Sequence, residues 1–314
     1  MFENQIVLNA TDFLYLNSLI QMPVIMQFDT MEKGIEFKKT RDFGEVFSTT
    51  FSFLKQEFRP LSLAILNYAF PFILISAIAL ILFVNRFKPF FTNPEAIPSS
   101  GFLKEILFFY ILMILIFIIS NVLLYSTVNN YIALYIEKGR GNFTSSDVSH
   151  RIGSNFWQIL FTVILTNVMI AIGWMFCILP GIYLAVSMSF VYISITYEKK
   201  GFGDAISRSF EVSHVQWWST LLLLFMIYLI IFLIAFIPYI TILFSFIGNT
   251  TVTFPSQEYS PEKIIELMRR ISYVVALLII LVSLLTVIPM IAIALQYTSS
   301  IEVKAKRNEM QIQN

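Results

Sequence analysis

The chain has 314 residues, of which 57% are hydrophobic and only 13% are charged, and its formal net charge is +1. Soluble domains carry roughly twice this fraction of charged residues. The composition therefore excludes an ordinary soluble domain, a disordered chain and a nucleic-acid binder with a basic face. The single cysteine, Cys177, excludes a disulfide framework and a cysteine-based zinc site. We predict an all-α, polytopic membrane protein whose main partner is the lipid bilayer.

Charged residues are absent from five long blocks of the sequence. These blocks are 60–85, 106–136, 152–197, 212–257 and 271–301. About 20 apolar residues in a helix cross a hydrocarbon core about 30 Å thick. The third block is long enough for two spans, and its Leu179-Pro180-Gly181 sequence predicts a tight hairpin turn. We therefore predict six transmembrane helices, at about 61–84, 105–130, 156–178, 180–197, 217–247 and 271–297.

The distribution of Lys and Arg predicts the orientation of these spans. Fifteen of the 21 basic residues fall on the side that carries both termini, and six fall on the other side. Cytoplasmic loops are enriched in Lys and Arg, so both termini are predicted to be cytoplasmic. Residues 1–41 form an N-terminal cytoplasmic or interfacial segment, residues 42–301 the membrane domain, and residues 302–314 a cytoplasmic tail.

Three segments that precede the first, third and fifth spans share a pattern. Phe, Gly, an acidic residue, Ser and Phe occur at the same offsets in 42–51 and 201–210, and a looser version covers 144–157. Apolar side chains recur every four residues, which predicts one apolar face of a helix. We expect three transmembrane hairpins, each preceded by a cytoplasmic amphipathic helix in the membrane interface. Internal repeats are common in transporters, and duplication of a stable anchor is the simpler alternative.

A more specific pattern surrounds the fourth span. Its residues, in chain order, are Leu179, Pro180, Gly181, Glu198, Gly203, Asp204, Arg208, Ser209, Trp217 and Trp218. This order resembles the membrane domain attached to some bacterial glycerophosphoryl diester phosphodiesterases and to related six-helix bacterial membrane families. The resemblance is specific over about 175–225, and hydropathy extends it over roughly 40–300. It implies a membrane fold and a location in the bacterial inner membrane.

The resemblance does not imply the activity of those phosphodiesterases. Their chemistry belongs to a separate soluble barrel domain, and residues 1–40 and 303–314 are too short to hold one. None of the catalytic residues of that family has a counterpart in this sequence. We therefore expect no catalytic residue and no cofactor.

Two other features suggest chemistry and are better explained by structure. Gly201-Phe202-Gly203-Asp204 matches the string found in intramembrane aspartyl proteases, which need two aspartates that share a proton. No predicted span contains an aspartate, so we expect Asp204 at a helix start on the cytoplasmic surface. The only histidines, His150 and His214, lack carboxylates at metal-binding spacing. We expect no metal site.

Asn67, Asn121 and Asn167 are the candidates for lining a cavity within the membrane. Hydrogen bonding between helices is the alternative role for such residues. No predicted span carries an ionisable carboxylate or base, which disfavours ion-coupled transport.

The leading functional hypothesis is a non-enzymatic accessory or scaffold subunit of an envelope complex, in contact with other membrane proteins. The alternative is an uncoupled permease for a small amphiphilic or lipid-like molecule. An intramembrane enzyme is a third and weaker hypothesis.

Overall fold

The computed structural model describes residues 34–86, 100–249 and 261–313. Of the described residues, 88% are helical and none lies in a strand. The chain divides into two compact units, Met1–Ile35 and Glu36–Asn314, and all the helices below belong to the second unit. They are α1 (Phe43–Gln56), α2 (Phe58–Tyr68), α3 (Phe70–Asn85), α4 (Ser100–Lys138), α5 (Ser145–Phe176), α6 (Ile178–Met188), α7 (Val191–Glu198), α8 (Phe202–Ser213), α9 (Trp217–Asn249), α10 (Pro261–Leu285) and α11 (Val287–Ile312).

The described part of the chain contains five helices that are long and apolar enough to cross a membrane. A sixth is obtained if α2 and α3, which are bent by 52° at their junction, form one span. The prediction of an all-α protein with several membrane-spanning helices is therefore confirmed for the described residues, where five to six helices are long and apolar enough against the six predicted.

Several helix breaks lie just before a proline. Pro60, Pro71, Pro180 and Pro289 each occupy the second or third position of a helix, directly after the breaks at Glu57, Ala69, Cys177 and Thr286. Proline is tolerated in the first turn of a helix, where its missing N–H leaves no donor unpaired, but it does not continue a preceding helix. The hairpin turn predicted at Leu179-Pro180-Gly181 is therefore misplaced. The turn lies at the extended residue Cys177, and those three residues belong to the first turns of α6.

The second predicted amphipathic helix is not a separate element. Helix α5 runs without a break from a polar beginning into its apolar half. It starts with a capping box, in which the Thr144 hydroxyl accepts from the Asp147 N–H and the Asp147 carboxylate accepts from the Thr144 N–H. No proline interrupts the sequence between these halves, so nothing ends the helix where the span was predicted to begin.

Three helical stretches are buried on all sides and form the core. They are 126–135 of α4, 191–196 of α7 and 294–300 of α11. Aromatic contacts tie neighbouring elements to them, since the Phe53 ring centroid of α1 lies 5.0 Å from that of Tyr135 and the Phe190 centroid lies 5.5 Å from that of Tyr297. We call this end of the molecule the ionic end, because the carboxylates of Glu57, Glu137 and Glu198 lie there.

Few residues in the helix halves away from the ionic end are fully buried. In the most apolar 18-residue window of α4, only 11% of the residues are buried, against 56% in the window of the paired helices α6 and α7. Large apolar side chains such as Phe108, Leu112 and Phe232 are exposed there. Such surfaces are compatible with lipid as the surrounding medium.

Candidate functional site

Glu198, at the C-terminus of α7, gathers three side chains from other parts of the chain. The Arg208 side chain of α8 donates from Nε to both carboxylate oxygens at 3.2 Å. The buried Tyr297 hydroxyl of α11 donates to Oε1 at 2.6 Å, and the Lys200 ammonium lies 3.6 Å from Oε2. The carboxylate therefore holds α7, α8 and α11 together, and both of its oxygens have donors within the protein.

The same network continues through Arg208. Its guanidinium lies 3.0 Å from Glu211, whose carboxylate also pairs with Lys304 of α11. Lys304 and Arg208 together lower the pKa of Glu211, so this carboxylate is ionised at neutral pH. Charges of alternating sign thus link α8 to α11.

Glu57, between α1 and α2, forms a second buried cluster. Its side chain is only 3% exposed. The Tyr131 hydroxyl of α4 donates to one carboxylate oxygen at 2.6 Å, and Nε of Arg140 lies 2.8 Å from the other. Burial disfavours an ionised carboxylate unless donors compensate for the lost water, so this arrangement is structural and links α1 and α2 to α4.

Two of the ion pairs occupy matching places in the sequence. Glu137 at the end of α4 pairs with Arg151, as Glu198 at the end of α7 pairs with Arg208. Each arginine follows an aspartate by four residues in the next helix. The two ion pairs therefore occupy equivalent sequence positions, and the internal repeat itself stays a prediction.

A second pair of similar contacts occurs at the residues that precede helices α2 and α9. Glu57 precedes α2 and bonds to Tyr131, six residues before Glu137. Gln216 precedes α9, and its Oε1 accepts from Gln296 at 3.1 Å, six residues before Glu302. Each junction therefore contacts the second helix of its own predicted hairpin, six residues before a glutamate of that helix.

The asparagines that join helices are not those singled out in the sequence. Asn130 of α4 and Asn155 of α5 exchange amide hydrogen bonds of 2.9 and 3.2 Å. Asn121 and Asn167 instead donate to the carbonyls of Phe117 and Val163 in their own helices.

Asn67, Asn121 and Asn167 line neither of the two large cavities found among the described residues. Asn67 and Asn167 are exposed on different helices, and the two large cavities described below are lined by other residues. A cavity role for these three asparagines stays a prediction.

The residues of the motif around the fourth span fall into two groups. Glu198 meets Arg208, and Ser209 donates to the carbonyl of Ser187, so these residues fix α8 along α6 and α7. Gly203 and Asp204 lie exposed at the start of α8, in agreement with the expected helix start.

The other motif residues lie near the ends of α6 and α9. Leu179 and Pro180 are exposed, whereas Gly181 is buried against the Trp174 ring. The rings of Trp217 and Trp218 meet edge to face with centroids 4.9 Å apart, and Trp218 is 76% exposed. Exposed tryptophan at a helix start is typical of a membrane–water border.

Two open cavities lie near these clusters. One, of about 480 Å³, is lined by Tyr183, His214, Val215, Gln216, Trp217, Trp218 and Ser219. The Tyr183 and Trp217 rings stack there with centroids 6.0 Å apart, and the Trp217 indole N–H is enclosed without an acceptor. The other, of about 530 Å³, is lined by Lys38, Tyr197, Glu198, Thr298, Ile301 and Glu302. The first cavity combines aromatic walls with a few polar groups, whereas the second is lined mainly by charged and polar residues.

Sequence reasoning missed Glu57, Tyr131, Tyr297, Asn155 and Gln216. The sequence contained one sign of Tyr131, because Tyr131 and Tyr192 each lie six residues before a Glu-Lys pair. Among the residues that the structure describes, no group of three or more His, Cys, Asp or Glu side chains could hold a metal ion.

The capping box of α5 predicts a pH dependence. Asp147 precedes the predicted span, and the Thr144 N–H, the Lys138 ammonium and the Thr144 hydroxyl lower its pKa from 3.8 to about 2. A carboxyl whose pKa is lower in the folded state stabilises it fully above about pH 4, and the contribution is lost as the pH falls through about 2. The difference in melting temperature between wild type and Asp147→Asn should therefore be constant above pH 5 and shrink from pH 4 to 2. A difference that does not change with pH would contradict this origin.

Comparison of the chain with protein-family models, with curated proteins and with solved structures found no match. The resemblance to the phosphodiesterase membrane domains therefore stays a prediction. The proposed function therefore rests on the contacts at the ionic end and on the exposed surface of the spans.

Proposed function

We propose that this protein is a non-enzymatic, multi-pass protein of the bacterial inner membrane that serves as an accessory or scaffold subunit of an envelope complex. The carboxylates of Glu57 and Glu198 support this proposal, because both are held by arginine and tyrosine in structural contacts. The ionic end is then a rigid platform rather than a reactive centre.

The observation that carries the proposal is the contrast between the two ends of the molecule. The ionic end is densely packed around three fully buried stretches, whereas only 11% of the apolar window of α4 is buried. A span with so few fully buried residues offers part of its surface to lipid and to helices of other proteins. An accessory subunit needs such a surface beside a stable framework.

The excess of Lys and Arg on one side supports an orientation with the ionic end and both termini in the cytoplasm. In this orientation each of the three predicted hairpins begins and ends at the cytoplasmic surface. Helix α1, the polar beginning of α5 and α8 then surround the buried stretches at the cytoplasmic surface. On α1, Phe43, Phe47 and Phe51 form a half-exposed row of neighbouring rings suited to the headgroup region.

Site-specific photo-crosslinking at native expression levels tests the scaffold role. A photoreactive residue at Phe108 or Leu112, which are exposed one turn apart on α4, should capture the same membrane protein. The matched control is Ile132, which is fully buried on the same helix and should capture nothing. Crosslinks to lipid alone from both exposed positions, with a monomer after mild detergent extraction, would contradict a scaffold.

The two open cavities favour a second candidate, an uncoupled permease for a small amphiphilic molecule. Their volumes of about 480 and 530 Å³ match those of small-molecule sites. Flux of a fluorescent amphiphile through proteoliposomes tests it, and Tyr183→Ala in the aromatic cavity should slow that flux. Rates equal to those of protein-free liposomes would exclude this candidate.

A further inference from the structure

The hairpin formed by α5 and α6 has an entirely apolar tip. From Val168 to Val186 the sequence contains no charged residue and no Asn, Gln, Ser, Thr or His. The side chains at the turn stand clear of the protein, since Met175, Phe176 and Leu179 are 85%, 83% and 75% exposed. In water this tip would leave several large apolar side chains unburied, which is unfavourable.

The sequences that join the other two predicted hairpins are different. Residues 86–99 contain Arg86, Lys88 and Glu95, and residues 249–262 contain two acidic residues together with Asn, Gln, Ser and Thr. Those segments have polar groups to place in water, whereas the turn at Cys177 has none.

Measured along the helix from its base at the ionic end to its turn, the α5–α6 hairpin is also the shortest of the three predicted hairpins. The Gln158 amide donates to the Lys200 carbonyl at 2.6 Å, which fixes the base beside two lysines. Cys177 lies 19 residues beyond Gln158, which is about 28 Å of helical rise. That is slightly less than a hydrocarbon core of about 30 Å. From Gln216 to the end of α9 the rise is about 50 Å, so that helix can extend beyond the core.

Two backbone bonds close the turn. The Cys177 N–H bonds to the Gly173 carbonyl at 3.2 Å, and the Gly181 N–H bonds to the Cys177 carbonyl at 3.3 Å. Pro180 has no N–H. In lipid an unpaired backbone polar group is costly, and these bonds together with the proline lower the number of such groups at the turn.

We propose that the α5–α6 hairpin enters the bilayer from the ionic end and ends inside it, with residues 174–179 in contact with the acyl chains of the far leaflet. Acyl chains match the tip in chemistry, and the base-to-tip length places the tip at their depth. This rests on the membrane orientation given under the proposed function and not on the scaffold role. The proposal leaves both chain termini on the cytoplasmic side. A hairpin that does not emerge from the far side of the bilayer returns to the surface where it entered, so Glu137 and Glu198 lie at the same surface.

Cys177 is the only cysteine and lies exposed at the turn, so the native chain carries its own probe. A membrane-impermeant maleimide should label it less than a tenth as much as a water-exposed control, in both right-side-out and inside-out vesicles. Labelling should become complete in SDS. The controls, in a Cys177→Ala background, are Arg86→Cys at the far end of α3 and Ser207→Cys on α8, both at exposed positions. Each should be labelled from one side, and the two sides should be opposite.

A nitroxide on Cys177 in proteoliposomes distinguishes lipid from a protein cover. In contact with acyl chains, the label should be relaxed more strongly by oxygen than by a water-soluble nickel chelate, and a label at Arg86→Cys should show the reverse order. Low accessibility to both relaxants would mean that a protein partner covers the tip, which overturns the proposal.

Labelling of Cys177 in right-side-out vesicles as readily as Arg86→Cys would also overturn it, since the tip would then emerge into water. Labelling of Arg86→Cys and Ser207→Cys from the same side would instead contradict the orientation on which the proposal rests. Neither result depends on whether the protein acts as a scaffold, so the two proposals fail separately.

Discussion

Replacing Glu198 with alanine is expected to lower the free energy of unfolding by about 2–4 kcal/mol, because it breaks a largely buried ion pair and leaves its partners unsatisfied. The hydroxyl of Tyr297 is fully buried and loses its acceptor, and the guanidinium of Arg208, which is 21% exposed, loses its bidentate partner. Glu198→Gln keeps an acceptor for Tyr297 and should have an intermediate effect.

Thermal or SDS-induced unfolding in mild detergent measures this loss. The matched control is Glu105→Ala, because Glu105 also pairs with an arginine, Arg86, but both side chains are about half exposed. Exposed pairs contribute about 0–1 kcal/mol. Tyr297→Phe should recover part of the loss when it is added to Glu198→Ala, since it removes the unsatisfied hydroxyl. Equal destabilisation by Glu198→Ala and Glu105→Ala would show that the Glu198 cluster does not stabilise the ionic end.

The existence of the apolar helices could be predicted from the sequence because it depends on local composition. Every block without charged residues coincides largely with described helix, as 271–301 does with most of α10 and the first half of α11. Charged side chains are costly in hydrocarbon, so their absence over about 20 residues identifies a span by itself.

The positions of the helix breaks depend on where in a helix proline is tolerated. The sequence pattern places Pro180 in the turn, but proline fits the first turn of a helix, so the break lies upstream at Cys177. The same rule accounts for the bend before Pro71. In contrast, Pro238 lies inside helix α9 without ending it.

The clusters at the ionic end could not be predicted because their members are far apart in the sequence. Tyr131 bonds to a carboxylate 74 residues away, and Tyr297 to one 99 residues away. A single sequence gives the residue types but not which helices become neighbours. The asparagines show the same limit, because an amide in a helix can bond to its own backbone, as Asn167 does, or to another helix, as Asn155 does.

Gly173→Ala is expected to destabilise the protein by about 1–3 kcal/mol, as overpacking of a tight contact does. A Cβ atom at position 173 would lie 3.1 Å from the Cα of Gly181 and 2.9 Å from a methyl group of Leu184. The leucine side chain can move, but the backbone of Gly181 belongs to the opposite helix of the hairpin. The two helices would have to separate, which loosens the close approach that small residues permit between membrane helices.

Replacing a different glycine of α5 with alanine should change the stability of the protein in the opposite direction. Gly153 is an exposed helical residue, and a Cβ atom there would meet nothing within 4 Å. Alanine at this position should stabilise the protein by about 0.5–1 kcal/mol, because it restricts the unfolded chain at no cost in the folded one. Unfolding of Gly173→Ala and Gly153→Ala under identical conditions compares the two. Opposite signs would attribute the loss to the contact with Gly181, whereas a shared sign would mean that helix propensity, and not the packing of the hairpin, governs glycine in α5.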